Sequence, residues 1–465
     1  MLACTAVFAP PASAQFETRG SFTALPNSSA ISVASGDFNH DGVADLAVTS
    51  WCCPGGGVSV LLGNGDGTFR PAIDYAAGEE PWSIVAVDLN HDGNLDLVVA
   101  NSLSERLTIL LGNGDGTFRR GPQGPGLAAS QSFVAVGDFN GDGKPDIASL
   151  SLSNPCKCIT ILLGKGNGAF EGPIVTQPPF DIESMGIGDF NGDGKLDIAT
   201  AGNYTVNILL GNGDGTFEYG ASYPSPETPE SMTVADFNGD HKLDLATADT
   251  EGGSISVLLG NSDGTFESPV SYPIAFCAGI TTADVNGDGK PDLVATTDYD
   301  FPAVSGIAVL FGNGDGTFQS PVYFSSGSDN STYVVTADFN RDGKVDAAIT
   351  DLHANAVIIM LNTGVAAFSP TSPLIFKKQS VGTTSPPQEV AITNTGKTEL
   401  KISSMKVAGQ FEMSSNCGKG VAAGKNCTIS VTFSPQSQGA KSGTVTINDS
   451  ASSKPQVIQL SGTGN

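Results

Sequence analysis

Oxygen-donor side chains recur at alternate positions of a nine-residue pattern, Asp-x-Asn-x-Asp-x-x-x-Asp. It occurs seven times, at 37–45, 88–96, 138–146, 189–197, 236–244, 284–292 and 338–346. Positions one, three, five and nine are Asp37, Asn39, Asp41 and Asp45 in the first copy, and Asp88, Asn90, Asp92 and Asp96 in the second. They are Asp138, Asn140, Asp142 and Asp146 in the third, and Asp189, Asn191, Asp193 and Asp197 in the fourth. The last three copies have Asp236, Asn238, Asp240 and Asp244; Asp284, Asn286, Asp288 and Asp292; and Asp338, Asn340, Asp342 and Asp346. Carboxylate and amide oxygens are hard donors, suited to Ca²⁺ and poor for zinc or copper. Position seven is Val43, Asn94, Lys144, Lys195, Lys242, Lys290 or Lys344. A lysine ammonium has no lone pair to give, so this position is expected to contribute its backbone carbonyl. Position six is Gly in six copies, which permits a sharp turn; the fifth copy has His241 and is expected to be the weakest site. Asp, Asn and Gly also make ordinary turns. An ordinary turn does not require the same four donors seven times, and three aspartates per loop repel each other without a cation. The reading is a set of structural calcium loops.

The elements that position these donors are strands. A helix–loop–helix calcium loop needs Glu at its twelfth position, where the first copy has Val48. The flanks Ser32–Ser35 and Leu46–Thr49 are short, β-type and mostly small, without the longer amphipathic runs of helices. Each loop is therefore expected at the tip of a β-hairpin. A second signature follows it in each repeat, Leu-Leu-Gly-Asn-Gly-Asp-Gly-Thr-Phe at 61–69, 110–118 and 209–217. Copies five and six differ slightly, with Ser262 and Phe311; copy three is degraded at Gly164–Phe170; copy seven keeps only Leu361, Asn362 and Phe368. Residues such as Val58–Leu62 form a strand, Asn-Gly and Asp-Gly make a tight turn, and Phe69 opens the next strand. The Gly-rich turn lacks the Lys-Ser/Thr of a phosphate loop and carries an acid at its centre, so it reads as a hairpin turn.

Start-to-start spacings of 51, 50, 51, 47, 48 and 54 residues mark a repeat architecture. Four strands per repeat, seven times, give an all-β, seven-bladed β-propeller. Gly-Asp-Phe-Asn-Gly-Asp-Gly-Lys-Pro-Asp-Ile-Ala at 137–148, in register with the Leu-Leu-Gly signature, resembles the FG-GAP/VCBS repeat of integrin α-chain propellers and many secreted bacterial proteins. The resemblance covers roughly residues 20–368 and implies about one Ca²⁺ per blade on the donors named above.

Alternating strand direction puts the calcium loops and the Gly-rich turns on one face. The other connections vary: Ser50–Gly57, Asn101–Arg106, Ser151–Cys158, Ala201–Tyr204, Asp249–Gly253, Asp298–Ser305 and Asp351–Asn355. Uniform loops read as scaffold and variable loops as a recognition surface; the integrin resemblance implies ligand binding there. Trp51, Trp82, Tyr299 and Phe301 fall on that face and are candidates for stacking on a sugar ring or peptide, or for packing against loops. The place of Trp82, six before the first loop Asp, holds Ile31, Ser132, Glu183, Glu230, Ala278 and Thr332 elsewhere, so it does not read as a regular core position.

The repeats stop near Ser369, where Ser369–Pro373 reads as a linker. Alternating stretches at Glu389–Asn394, Cys427–Phe433, Gly443–Ile447 and Val457–Leu460 fit an immunoglobulin-like β-sandwich over 369–465. Asn394–Gly396, Cys427–Pro435 and Leu460–Gly464 resemble the ASH (abnormal-spindle/Hydin) or choice-of-anchor domains, which implies a spacer or attachment module. The propeller is assigned to 15–368 and residues 1–14 to the end of a secretory signal, with Ala12-Ser13-Ala14 as the cleavage site.

Charge and cysteines bound the rest. Formal charge is −26; the loop aspartates supply 21 of the 48 acidic residues, and seven Ca²⁺ return 14 charges. The remaining acidity excludes nucleic acid and anionic membranes as expected partners, and no apolar run is long enough to form a transmembrane segment. Beyond the signal lie Cys52, Cys53, Cys156, Cys158, Cys277, Cys417 and Cys427. Cys417–Cys427 is the expected disulfide; Cys52–Cys53 and Cys156–Cys158 are close pairs open to disulfide or metal; Cys277 reads as a core thiol. No His-Glu-x-x-His or Gly-x-Ser-x-Gly motif occurs, and no catalytic residue is recognised. A calcium-containing propeller lyase would have only Tyr299 or His353 to use. The expected function is a secreted or cell-surface binding and adhesion module for an extracellular glycan or protein. The alternatives are a carbohydrate-active enzyme and a purely structural envelope protein.

Overall fold

The computed structural model describes residues 16–465 apart from 26–27, 52–55, 128, 153–155, 226–227, 251–252, 275, 298–304, 328–329, 364–365, 370–373, 395–398, 423–424 and 450–455. Residues 1–14, Cys52, Cys53, Tyr299 and Phe301 therefore lie outside the described residues. No helix long and apolar enough to cross a membrane is present among the described residues. The chain divides into two compact units, residues up to Leu361 forming most of the larger and Asn362–Asn465 most of the smaller.

The larger unit is the expected propeller. In the first blade the strands are Ser29–Gly36, Asp45–Trp51, Gly57–Leu61 and Ile73–Ala76, hydrogen-bonded in chain order. Five further blades repeat this order. The second and third strands of the first blade, Asp45–Ser50 and Gly57–Leu61, are buried throughout, while Ile73–Ala76 is mostly exposed. A blade is covered on both faces by its neighbours, which is why these strands read as continuous runs of small and β-branched residues instead of alternating. The core is correspondingly divided into clusters between successive blades. One contains Val58, Val60, Ile84, Leu97 and Val99 from the first and second blades; the equivalent cluster between the fourth and fifth contains Ala199, Ile208, Leu245 and Leu258.

Two details differ from the sequence expectation. The hairpin Phe opens the outer strand only in blades two and four, at Phe118 and Phe217. In the other four it forms an isolated bridge: Gly63 with Phe69, Gly164 with Phe170, Gly260 with Phe266 and Gly312 with Phe318. Pro71, Pro173, Pro269 and Pro321 follow those phenylalanines within three residues. Proline has no N–H for the ladder, so the strand resumes beyond it.

The second difference concerns the seventh blade. Its strands Ser331–Ala337, Asp346–Asp351 and Ala356–Asn362 are completed by the N-terminal strand Phe16–Thr23. Ala366–Ser369, which contains the expected last propeller residue Phe368, instead pairs with Gln388–Asn394 of the smaller unit. The seventh repeat lacks the Gly-rich turn that precedes the outer strand in the other blades. The boundary thus falls near Asn362, not 368/369. The N-terminal strand joins the ring to the first blade: Arg19 donates from Nε to the Asp66 carbonyl at 3.2 Å, and Phe22 packs edge-on against Phe69 with centroids 5.2 Å apart.

The smaller unit is a two-sheet β-sandwich. One sheet runs Ala366–Ser369, Gln388–Asn394, Asn426–Phe433, Phe411–Ser415; the other runs Leu374–Ile375, Gln456–Gly464, Gly439–Asp449, Leu400–Ala408, Gly420–Val421. Asn426–Phe433 alternates strictly between buried and partly exposed, as a half-buried strand should. Phe411 stacks on Phe433 at 4.9 Å in the core. Cys417 and Cys427 form the expected disulfide, with Cα atoms 4.8 Å apart.

Phe69 touches both the N-terminal strand and, at 6.0 Å, Phe339 of the seventh blade. Phe69→Ala is expected to lower the unfolding free energy by about 3–5 kcal/mol, measured by urea denaturation.

Candidate functional site

The metal-type loops keep one backbone path in all seven blades. Positions four and six are both left-handed: His40 at φ 58° and Gly42 at 76° in the first blade, Gly239 at 76° and His241 at 64° in the fifth. Three side chains cap the turn. Asp37 accepts from the N–H groups of Asp41 and Gly42 at 3.1 and 2.8 Å, Asn39 Oδ1 from Asp41 at 2.9 Å, and Asp41 Oδ1 from Val43 at 2.8 Å. The fifth loop makes the same bonds, with His241 N–H donating to Asp236 at 2.9 Å. Its departure from glycine costs backbone strain and leaves the loop shape unchanged.

Position nine has a role that sequence reading missed. Asp45, Asp96, Asp146, Asp197, Asp244, Asp292 and Asp346 are all 0 % exposed. One oxygen of Asp96 accepts from the Leu89 N–H at 3.1 Å inside its own loop; the other accepts from the Gly112 N–H at 2.8 Å, on the Leu-Leu-Gly strand. Asp45 treats Phe38 and Gly63 the same way, and Asp146 treats Phe139 and Gly164. This explains the glycine of the second signature. A Cβ on Gly112 would lie 2.3 Å from the Leu95 carbonyl, and one on Gly164 2.0 Å from that of Pro145. Only glycine lets the N–H reach the carboxylate. Burial, with the nearby charges of positions five and one as lesser causes, pushes Asp45, Asp96 and Asp244 up to about 6; Asp146 and Asp197 are raised for the same reasons.

The hairpin after that strand then docks on the loop of the preceding blade. Gly116 N–H donates to the Phe38 carbonyl at 2.9 Å, Gly264 to Phe190 at 3.0 Å and Gly67 to Phe339 at 3.0 Å. The hairpin phenylalanines pack edge-on against loop position two: Phe118 on Phe38 at 5.4 Å, Phe266 on Phe190 at 5.5 Å, Phe318 on Phe237 at 5.4 Å. Outer-strand tyrosines add a bond across the same seam, Tyr75 accepting from the Phe118 N–H at 3.0 Å and Tyr272 from Phe318 at 3.1 Å. The loops and hairpins thus share one face, as strand alternation requires.

Among the described residues no three acidic, histidine or cysteine side chains already form a metal cage. The donors are nevertheless held together: Asp37 Oδ1 and Asn39 Oδ1 both lie within 3.1 Å of the Asp41 nitrogen. Each such oxygen keeps a second lone pair, and the all-oxygen set suits a hard cation. The residues fit Ca²⁺ by chemistry and by loop form. Position-seven lysines pair with position five, Lys144 with Asp142 at 2.8 Å and Lys242 with Asp240 at 3.3 Å. Position four reaches sideways: His40 Nε2 meets Asn94 Oδ1 at 2.9 Å, and Arg341 pairs with Asp41 at 3.6 Å across the ring closure.

On the opposite face, a cavity of about 500 Å³ is walled by Ile31, Trp82, Glu183, Glu230, Ala278 and Thr332, with Phe133 beside Ser132. These are the equivalent positions of six blades, with the next residue of the third, so the cavity lies on the propeller axis. The position that looked irregular in sequence is the axial wall. Trp51, Leu152, Lys157 and Leu352, from or beside the variable connections, line the same cavity. Both tryptophans are therefore brought together, Trp51 with 38 % exposure; their expected partners Tyr299 and Phe301 lie outside the described residues. Cys156 and Cys158 are joined as a disulfide with Cα atoms 5.3 Å apart, and Cys277 is a buried free thiol whose ionisation burial pushes up.

Asp96→Ala strands two buried N–H groups and is expected to cost about 3 kcal/mol in chelator. The exposed Asp92→Ala should cost under about 1 kcal/mol there; paired denaturant melts compare them. The raised aspartates also set a pH dependence. Between the unfolded value of 3.8 and about 6 the folded chain holds more protons at Asp45, Asp96 and Asp244, so stability falls as pH rises through that window. Thermal midpoints in chelator are expected to rise as pH is lowered from about 7 to 5. Asp66, Asp115 and Asp214, lowered chiefly by hydrogen bonds from Thr68, Thr117 and Thr216, work in the opposite sense only below the ordinary carboxylate range.

Comparison with known proteins agrees with this geometry. Residues 50–99, 88–149, 138–200, 189–247, 236–295 and 284–349 match the FG-GAP-like repeat model, residues 29–50 match the FG-GAP repeat, and residues 363–457 match the ASH domain of abnormal spindle-like, SPD-2 and Hydin proteins. No curated protein matches the chain in sequence. Among solved structures, the WD40 domain of Toxoplasma gondii coronin superposes with TM-score 0.52 at 10% identity, over 76% of this chain and 88% of that one. A crystal structure of BBS1N in complex with ARL6DN superposes with TM-score 0.50 at 13% identity, over 74% and 97%. At these identities the likeness is one of fold alone. The repeat matches span most of the propeller and more than half of the chain, and the protein belongs to the FG-GAP-like repeat family, with a C-terminal ASH domain.

Proposed function

We propose that this chain is a calcium-stabilised binding module displayed outside the cell, secreted or at its surface. The variable face of the propeller takes a glycan or protein ligand, and the sandwich serves as spacer or attachment. The observation that carries this reading is the axial cavity. It gathers the equivalent wall position of six blades, Phe133 of the third, and both tryptophans of the chain on the face whose connections vary. Pockets of this size with mostly apolar walls and a few polar groups suit ligand binding.

Calcium supports the opposite face. Positions one, three and five would give side-chain oxygens, position seven its carbonyl, and position nine the remaining lone pairs of a carboxylate already bound to two N–H groups. The ion would supply the positive charge that offsets the aspartates of each loop. Among the described residues nothing favours catalysis, and binding without chemistry is the reading advanced.

Calcium is expected to raise the thermal midpoint of the chelator-treated protein, by an increment that grows from pH 5 to 7 as the raised aspartates deprotonate. Unchanged melting in calcium and EGTA would remove the metal part of this reading. For the ligand face, the whole protein is passed over polysaccharide affinity gels and candidate surface proteins in calcium. Retention that is lost in Trp51→Ala/Trp82→Ala supports the face; retention unaffected by that pair moves binding elsewhere.

A further inference from the structure

The second blade departs from its neighbours at the outer edge. In the first blade the outer strand pairs with the third strand from Gly57 to Val60, and blades four to six cover the start of theirs in the same way. In the second blade the outer strand is only Phe118–Arg120 and pairs with Leu110, Leu111 and Gly112. Gly121 adds one bond from its N–H to the Ile109 carbonyl at 2.9 Å. Pro122 and Pro125, which have no N–H for the ladder, then carry the chain off the sheet. A cavity of about 450 Å³ opens where the strand ends, walled by Leu103, Ser104, Glu105, Arg106, Arg120 and Gln123. It shares no wall residue with the axial cavity.

Three of the chain's six arginines, Arg106, Arg119 and Arg120, belong to this part of the second blade. Arg19 and Arg341 pair with Asp66 and Asp41, but among the described residues no carboxylate pairs with these three, although the chain has 48 acidic residues. The Arg106 guanidinium donates to the Gly124 carbonyl, which holds it beside the cavity. Ser104 Oγ accepts from the Glu79 N–H at 2.9 Å and keeps its own proton to donate. Glu105 is the one carboxylate on the wall, so two guanidinium groups face one acid. We propose that this cavity binds an acidic sugar unit, one carrying a carboxylate or a sulfate, with Arg106 and Arg120 holding the anion. The planar donor fork of arginine matches such oxyanions. Leu103, 59 % exposed, offers a surface to the apolar face of a sugar ring, and Ser104, Gln123 and Glu105 offer partners to its hydroxyls. The volume falls in the range of small-ligand pockets and is wider than one acidic side chain of a peptide needs. The net charge of −26 does not oppose this, because at physiological salt charges beyond about 8 Å are largely screened and the arginines act locally. The site is independent of the axial cavity.

The full protein in calcium is titrated by calorimetry with trigalacturonate, its neutral methyl ester, a sulfated galactose trimer and a capped Gly-Glu-Gly peptide. The expected result is saturable binding of an acidic sugar, with the neutral ester weaker by about tenfold or more. The tighter of the two acidic sugars identifies the anion. Arg120→Gln is expected to weaken that binding about tenfold, the loss of one charge-assisted contact. Arg119→Gln, adjacent in sequence but on the other side of the strand, should change it by less than about twofold. Unchanged calcium-dependent melting of both variants shows that they fold. No binding of either acidic sugar, equal binding of the ester, tighter binding of the peptide, or an equal loss in Arg119→Gln each overturns the site. Trp51→Ala/Trp82→Ala should bind the acidic sugar as the unaltered protein does. Binding lost in that pair moves the sugar to the axial cavity, which removes this site and leaves the variable-face reading in place.

Discussion

One buried carboxylate per blade holds this propeller together. In the first six blades the ninth-position aspartate takes one N–H from its own loop and one from the glycine of the Leu-Leu-Gly strand. Buried charge is costly unless its lone pairs are met, and two backbone donors meet them at short range. The same contact dictates the glycine, since any side chain there would collide with the position-eight carbonyl. The hairpin so anchored then reaches the loop of the preceding blade through a backbone bond and an aromatic pair. Two motifs recur in register because each is half of a joint between blades.

This arrangement divides the molecule's labour. The face that carries loops and hairpins is fixed by repeated short-range bonds, and its composition is uniform for that reason. The opposite face is free to vary, since its connections have no such joint to make. There the axial wall position changes chemistry from blade to blade, from Ile31 through Trp82 to Glu230 and Thr332, and a cavity of mixed character results. The strained His241 shows how strongly the joint is imposed, because the fifth loop keeps the common path without the usual glycine.

Most of the architecture was legible in sequence, and the exceptions share a cause. Donor spacing, the Asn-Gly and Asp-Gly turns and the repeat period led to seven four-stranded blades, since these are local signals. The alternation of Asn426–Phe433 and the spacing of Cys417 and Cys427 marked the sandwich equally locally. The seventh outer strand was misplaced because nothing in Phe16–Thr23 names a partner more than 300 residues away, and Phe368 imitated the missing turn. The structural bonds of the position-nine aspartate had no local pattern, because its second donor, Gly63 in the first blade, lies 18 residues on. The tyrosine bonds at Tyr75 and Tyr272 cross between blades, and the axial wall joins unlike residues about one repeat apart; neither has a local pattern.

The central claim is that the aspartate-rich loop of each of the first six blades and the hairpin anchored to it form one mechanical unit. Hydrogen-exchange mass spectrometry of the full chain, with and without calcium, tests it directly. The account predicts that calcium slows exchange in the loops and equally in the Leu-Leu-Gly hairpins at 61–69, 110–118 and 209–217, which hold no loop donor themselves. Protection confined to the loops, with the hairpins unchanged, would contradict it.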